Sequence, residues 1–321
     1  NIYNDTKDGI RGVDIFKKLV RLHPSNAEYQ RNLGRSYWHC GDLAKAEMRL
    51  ALATKLRPEY LDAWLDLTAV AGESKNADEV IAIFDRAIAA MPENERIHEA
   101  KAVMLRRQGR SKEAEVYLGD LVWKYGERGW LFFNLGAAIS DFDRQRANIF
   151  YGKSVEMEPD NDVYRMAWAE SLSRSRYGDE SAHLEQAYQV LLPISAHMEL
   201  TPSNIKIANE IFTRVADYKS ARSLGDFKSV GRAFAESGKH TALLSHLAHV
   251  RRPEDRLELV GQHRTWGELM ERVAARHPIQ RIGPRANNGK MRIGFMSSDL
   301  RAHPVAYFAL PLFEHYDRSR F

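Results

Sequence analysis

The stretch Asn26–Pro58, "NAEYQRNLGRSYWHCGDLAKAEMRLALATKLRP", decides the fold. Its apolar residues recur at helical spacing in two segments, and the glycine Gly41 separates the segments. The pattern consists of Leu33, Gly34 and Tyr37 before Gly41, and of Ala46, Leu50 and Ala53 after it. Small residues let two helices approach closely, and large ones fill the space between them. The stretch therefore predicts a pair of antiparallel helices.

The same pattern returns along the chain. Pro24, Pro58 and Pro92 are separated by 34 residues each, and Leu50 aligns with Phe84 at the same interval. This period and these residue types resemble the tetratricopeptide repeat. The resemblance implies a right-handed superhelix, whose concave groove is lined by the first helix of each pair and suits an extended peptide.

Later units follow the period less regularly. Pro92 and Pro159 are 67 residues apart, one short of two repeats, which indicates a deletion in a turn. The segment "SRSRYGDESAH", Ser173–His183, is too long for a standard turn between repeats. We expect tetratricopeptide repeats over residues 1–202, irregular or capping helices over 203–280 and a connector over 281–290.

One position of the repeat is expected to point into the concave groove, namely the residue before the Leu-Gly pair. Asn32, Asp66, Ala100 and Asn134 occupy this position in successive units. An asparagine amide both donates and accepts hydrogen bonds, so a row of such residues suits an extended backbone of any sequence. The sequence predicts acceptor binding by Asn32, Asp66 and Asn134. The alternative is that "NLG" follows the repeat consensus and that Asn32 is a solvated polar residue.

Composition and charge exclude several classes of protein. The apolar fraction of 44% excludes general disorder, and the net charge of +4 is spread along the chain rather than clustered as nucleic-acid binding requires. No apolar run approaches the roughly 20 residues that span a bilayer, and the single cysteine, Cys40, cannot form an internal disulfide. The N-terminus lacks the plan of a signal peptide. These features predict a cytoplasmic protein that binds neither nucleic acid nor membrane.

The C-terminal segment "MRIGFMSSDLRAHPVAYF", Met291–Phe308, has a different pattern. Met291–Met296 is a short apolar run that predicts a buried strand, and the polar residues after it predict a loop. Pro304 suits the first position of a helix, because its missing N–H would lack a partner there. Strand, loop and helix predict the first unit of a doubly wound sheet over residues 291–321, with the loop where ligands bind in such sheets.

This segment, together with "QHRTWGELMERVAARHP" before it, resembles the start of the catalytic region of O-linked N-acetylglucosamine transferases and their bacterial relatives, glycosyltransferase family 41. In that family, tetratricopeptide repeats lead into a transferase with two Rossmann-like halves (GT-B type). The resemblance implies transfer of N-acetylglucosamine or a related hexose from a UDP-sugar to Ser or Thr of acceptor proteins, with no cofactor and no metal. The acceptor would lie in the concave groove.

By this resemblance, His303 matches the active-site histidine of the family's His-Pro loop. A Ser or Thr hydroxyl is a weak nucleophile, so the transfer benefits from a group that accepts or orients its proton. That base could equally be a relayed water or the donor's phosphate, and the alternative role of His303 is to cap the following helix. Asp299 is expected to fix the loop, and Ser297 and Ser298 are expected to form turns.

Other candidate sites are weaker. His246 and His249 are one helical turn apart, with His240 nearby, but no carboxylate or cysteine completes a metal site. Trp266 and His263 match a family element that packs against the catalytic region, which indicates a structural role. The basic stretch from residue 276 to 292 is interpreted as a solvated connector.

Two classes of function are consistent with the sequence. The chain belongs either to a protein O-glycosyltransferase or to a non-catalytic tetratricopeptide scaffold for protein–protein interaction. In the family, the sugar-nucleotide pocket lies largely in the second Rossmann half, and residues 1–321 contain no motif of that half. We therefore expect residues 1–321 alone to be inactive and not to bind UDP.

Overall fold

The computed structural model describes residues 9–275, 294–295, 297, 299–300 and 303–319. The chain divides into two units, residues 1–266 and residues 267–321. The α-helices of the described ranges are α1 (Gly9–Leu22), α2 (Ala27–His39), α3 (Leu43–Leu56), α4 (Leu61–Ser74), α5 (Ala77–Ala90), α6 (Glu95–Arg107), α7 (Ser111–Tyr125), α8 (Gly129–Ile139), α9 (Arg144–Met157), α10 (Asp162–Ser173), α11 (Glu180–Leu191), α12 (Pro202–Arg214), α13 (Tyr218–Ser223), α14 (Phe227–Glu236), α15 (His240–Ser245), α16 (Pro253–Ala275) and α17 (Pro304–His315). No helix within these ranges combines the length and the apolar composition needed to cross a bilayer.

The first unit consists of helix pairs stacked in chain order. Helix α2 packs against α3, α4 against α5, α6 against α7, α8 against α9 and α10 against α11, and each pair also contacts the next one. Helix α1 packs against α2 and supplies the second half of a unit whose first half is not described. The sequence prediction of a mainly helical repeat architecture is confirmed.

Short polar residues determine where these helices begin. Asn26, Asn76 and Asn161 accept hydrogen bonds from backbone N–H groups of the helices that follow them, and Asp42 and Asp143 do the same. Such caps satisfy N–H groups that have no partner inside the helix. Gly41 and Gly109 adopt φ values of 78° and 73° in the turns inside their pairs, a conformation that glycine adopts without steric cost.

The core between α2 and α3 explains the small residues of the repeat. Leu33, Ala46 and Leu50 are fully buried. A Cβ atom on Gly34 would lie 2.8 Å from Leu50 Cγ and 3.2 Å from the Ala46 carbonyl oxygen. The glycine is therefore what allows the two helices to approach to their observed separation.

We expect Gly34→Ala to lower the free energy of unfolding by about 1–3 kcal/mol, because the added methyl group overpacks the contact with Leu50. Gly72→Ala is the matched control, since Gly72 also lies inside a helix but a Cβ there would meet nothing within 4 Å. That change should stabilise the protein by up to about 1 kcal/mol through helix propensity. Urea denaturation followed by circular dichroism measures both changes. Destabilisation of equal size in the two variants would contradict the assigned close contact.

Two irregularities that the sequence predicts are found in the structure. The turn between α7 and α8 has three residues, Gly126–Arg128, whereas the turns before α4 and α6 have four, Arg57–Tyr60 and Met91–Asn94. The missing residue of the 67-residue interval is thus lost from this turn. Between α10 and α11, the six residues from 174 to 179 form the long loop that Ser173–His183 predicts.

Helices α12 to α16 continue the first unit without the 34-residue period. Their apolar residues join the last repeats in one core that contains Leu191, Phe212, Phe234 and Leu243, all 1% exposed or less. Leu259 of α16 belongs to the same core. These helices cover the apolar end of the repeat stack, as capping helices must.

In the second unit, the prediction of a strand is not supported. Gly294 and Phe295 form no regular structure, and the other residues of Met291–Met296 lie outside the described part of the chain, as does the connector 281–290. A strand requires a hydrogen-bonded neighbour, and none of the described residues forms one. The Rossmann-like unit therefore receives no support from the structure. The helix predicted to open at Pro304 is confirmed as α17.

Candidate functional site

The first helices of the pairs, α2, α4, α6, α8 and α10, form a surface that we call the first-helix face. The position before the Leu-Gly pair falls on equivalent places of successive helices, with Asn32 on α2, Asp66 on α4 and Asn134 on α8. Ala100 holds the same place on α6. The sequence therefore assigned these residues to the correct helices, and their surroundings are what the structure adds.

Asn32 and Asn134 are both buried, with 3% and 1% of their surfaces exposed. The Asn134 amide donates from Nδ2 to the Trp130 carbonyl oxygen at 2.9 Å and to Glu99 Oε1 at 3.4 Å. Its Oδ1 atom accepts no hydrogen bond from any residue that the structure describes. A bound peptide would reach this oxygen only after the side chain turned towards solvent. A role of the two asparagines in acceptor binding stays a prediction.

Asp66 is engaged by arginines of the neighbouring helix. Its Oδ2 atom lies 2.6 Å from Arg31 Nε and 3.9 Å from Arg35 Nε. Burial raises the pKa of the Asp66 carboxyl, and the Arg31 guanidinium partly offsets that rise. The Arg31 guanidinium also donates to the Tyr60 hydroxyl at 3.2 Å. Asp66 thus links α2 to α4, and its part in acceptor binding stays a prediction.

Farther along the first-helix face, carboxylates surround an aromatic pair. The rings of Phe133 on α8 and Tyr164 on α10 stack with centroids 4.7 Å apart. Burial raises the pKa of the Tyr164 hydroxyl, and the charges of Glu158, Glu99 and Glu95 raise it further. Negative potential is therefore concentrated around Tyr164.

Only part of this negative charge is neutralised. Glu95 pairs with Arg128. Glu99 and Glu158 form no ion pair with an arginine or lysine among the described residues, although each accepts a hydrogen bond from an asparagine. Arg106 lowers the pKa of the adjacent Tyr151 by its charge, so the negative region is centred on Tyr164 rather than spread over the whole face. Two carboxylates thus remain available to an external cation.

A cleft of about 480 Å³ lies between α10 and α12. Met166, Met198 and Ile207 form its apolar wall, and Glu170 and Glu199 line it as well. An apolar wall with carboxylates beside it suits a long cationic side chain, whose methylene groups need apolar contact and whose end needs a negative partner. The negative region around Tyr164 therefore has a neighbouring cleft of the same chemistry.

The residues of the C-terminal loop lie in the second unit. His303 is the N-cap of α17, and its Nδ1 atom accepts a hydrogen bond from the Val305 N–H at 3.3 Å. The alternative helix-capping role is thus present in the structure, and the catalytic role stays a prediction. Ser297 Oγ accepts from the Asp299 N–H at 3.1 Å, which confirms that Ser297 forms a turn. Loop support by the Asp299 side chain stays a prediction, and Ser298 lies outside the described residues.

The three histidines of the capping helices have separate environments. His246 Nε2 donates to the Phe227 carbonyl oxygen at 2.8 Å, while the ring stacks on Phe227. Burial lowers the pKa of His246, and nearby His249 lowers it further. His240 stacks on Trp266, with ring centroids 4.3 Å apart. Within the described residues, no three side chains of the metal-binding types gather around one point. The stacking places Trp266 and His240 in the packing of the first unit.

Sequence reasoning missed the carboxylates around Tyr164. Glu95 and Glu99 share α6, whereas Glu158 precedes α10 and comes close only through the stacking of helix pairs. One signal was available, because Glu99 directly precedes Ala100, the α6 member of the predicted row. The departure of that row from asparagine coincides with the acidic region.

Comparison with known proteins identifies the repeat in the first helices. Residues 11–60 match the family model of the tetratricopeptide repeat, and this range contains α1, α2 and α3. The match includes nearly all of the stretch Asn26–Pro58, so the repeat prediction is confirmed there. None of the curated protein sequences is significantly similar to the chain.

Several solved structures are similar to the chain at low identity. PilF of Pseudomonas aeruginosa is 20% identical, and the alignment covers 62% of this chain and 88% of that one at a TM-score of 0.44. A tetratricopeptide repeat protein from Parabacteroides merdae is 11% identical, with coverages of 80% and 93% and a TM-score of 0.49. YrrB, described as a tetratricopeptide repeat protein with an unusual peptide-binding site, is 16% identical, with coverages of 55% and 91% and a TM-score of 0.38.

Proposed function

We propose that the helix pairs form a protein-binding module and that the first-helix face takes an extended, basic segment of a partner protein. Repeats of this kind present long surfaces on which a peptide can lie. The observation that carries the proposal is the cluster of Glu99 and Glu158 around the stacked rings of Phe133 and Tyr164. The carboxylates attract lysine and arginine side chains, and the rings offer apolar and cation–π contacts to them.

A pair of fluorescent peptides tests this proposal. One consists of repeated Lys-Ser-Thr, and the other has Glu in place of Lys. We expect the lysine peptide to bind, as measured by anisotropy, and to bind more weakly as salt is raised, because exposed charges are screened. The glutamate peptide should not bind.

Charge removal on the protein completes the test. Glu99→Gln combined with Glu158→Gln should weaken binding of the lysine peptide by about two- to fivefold per carboxylate, as expected for exposed ion pairs. Glu236→Gln on α14 is the control, since this exposed residue lies away from the first-helix face. Equal binding of the two peptides, or an equal effect of the control substitution, would overturn the proposal.

A second candidate function is a refinement of the first. We propose that the bound segment is the acceptor of a protein O-glycosyltransferase, which moves N-acetylglucosamine or a related hexose from a UDP-sugar to Ser or Thr. The motif from Ser297 to Pro304 supports this candidate through its resemblance to glycosyltransferase family 41. A second support is α17, which has no buried residue among those described and exposes 85% of Phe308. An apolar helix of this kind fits a layer that packs against a sheet.

The alternative is a scaffold without catalysis. The two candidates share the peptide-binding face and differ at His303, which would act on the acceptor hydroxyl only in the transferase. The full-length protein assayed with labelled UDP-N-acetylglucosamine separates them. Incorporation of the sugar into acceptor protein is the result expected for the transferase, and its absence favours the scaffold.

A further inference from the structure

A second cleft, of about 550 Å³, runs along α9 and is independent of the proposed function. On α9 its lining residues recur three or four positions apart, among them Gln145, Asn148 and Gly152, so they share one face of the helix. Trp168 of α10 and His183 of α11 line the cleft as well. The cleft thus lies beside the second helix of the fourth pair.

Asn148 is held in one orientation at this cleft. The residue is 7% exposed, and its Nδ2 atom donates to Ser175 Oγ at 2.9 Å and to the Tyr177 hydroxyl at 2.8 Å. An amide nitrogen carries two hydrogens, so both are used by these two bonds. The Oδ1 atom is left as an acceptor, and no described residue donates to it.

Two further polar atoms at the cleft lack partners in the described part of the chain. They are the indole Nε1 of Trp168, which can only donate, and Nδ1 of His183. The Trp168 ring is fixed against α9, because a Cβ on Gly152 would lie 3.1 Å from its Cζ2 atom. The His183 ring packs against Tyr177 with centroids 4.4 Å apart. A fixed acceptor and a fixed donor therefore line the same cleft.

We infer that this cleft binds an amide group, either a peptide bond or a side-chain carboxamide of a partner. The N–H of the ligand would donate to Asn148 Oδ1, and its carbonyl oxygen would accept from Trp168 Nε1. Buried polar groups are costly when unpaired, so a ligand that satisfies both atoms gains over one that satisfies a single atom. The charged residues at the cleft, Lys153 and Glu156, are of opposite sign, which suits a neutral ligand.

Three small probes test the inference by nuclear magnetic resonance on ¹⁵N-labelled protein. N-methylacetamide imitates a peptide bond, acetamide imitates a carboxamide, and methyl acetate has the same carbonyl without an N–H. Saturable shifts of the Trp168 indole signal are expected with at least one of the amides, and binding of methyl acetate should be weaker by about fivefold or more. Tighter binding of N-methylacetamide identifies a peptide bond as the natural ligand, and tighter binding of acetamide identifies a side chain.

Trp168→Phe removes the donor and retains an aromatic ring. In this variant, amide binding read from the Asn148 side-chain signals should weaken by about fivefold or more. Trp123→Phe is the control, because Trp123 is 90% exposed on α7, and it should leave binding unchanged. Equal binding of amide and ester to the unaltered protein, or no response of Trp168 to any probe, would overturn the inference and leave buried water as the partner of these atoms. The comparison of probes does not depend on the folding of any variant.

Discussion

Replacing Leu50 with alanine should lower the free energy of unfolding by about 2–5 kcal/mol. Leu50 is fully buried between α2 and α3, and its Cγ atom lies against Gly34. The substitution removes most of the side chain and leaves a cavity that the tightly packed helices can fill only in part. Because each pair is stabilised by its neighbours, the loss should also loosen α1 and α4.

Met48→Ala provides the matched control on the same helix. Met48 is 55% exposed, so its truncation should change stability by no more than about 0.5 kcal/mol. Urea denaturation of both variants gives the comparison, and hydrogen exchange shows whether neighbouring helices are affected. A tolerated Leu50→Ala would contradict the placement of Leu50 in the centre of the repeat core.

The second large effect concerns His303 and rests on the transferase proposal. In the full-length protein, His303→Ala should reduce sugar transfer by about 10²–10⁴-fold, the usual contribution of a general acid or base. Donor binding should change little, because a group that acts on the acceptor hydroxyl contributes in the transition state. Transfer assays and calorimetry with UDP measure the two quantities separately.

His315→Ala is the control for this experiment, since His315 lies in the last turn of the same helix, α17. It should leave transfer unchanged. Loss of the Nδ1 bond to Val305 could unfold the start of α17, so the helix content of both variants is compared first. Normal transfer by a folded His303→Ala protein would leave His303 with its capping role alone.

The sequence predicted the helix pairs because their determinants are local. Gly34, Ala46 and Leu50 recur at positions where two helices touch, and a short turn fixes which helices are neighbours. The start of α17 was equally predictable, since Pro304 has a conformation suited to the first turn of a helix. The one-residue deletion was located by the proline spacing and assigned to a turn by the structure.

The environment of the predicted site residues could not be obtained in this way. Spacing places Asn134 on the correct helix, but its burial depends on Glu99 of the preceding pair and on the orientation of the Trp130 backbone. The prediction of a strand at Met291–Met296 rested on a short apolar run, which does not distinguish a strand from other buried or covered segments. The cleft at Asn148 had no sequence signal, because it depends on contacts with the long loop after α10.

The most direct test of the central claim, binding of a basic segment to the first-helix face, is photo-crosslinking of the Lys-Ser-Thr peptide. A photoreactive group on the peptide marks the residues it touches, and mass spectrometry identifies them. Crosslinks should fall on α6, α8 and α10 and should be lost together with affinity in the protein that carries Glu99→Gln and Glu158→Gln. Crosslinks concentrated on the second helices α5, α7 and α9, or spread evenly over the surface, would contradict the claim.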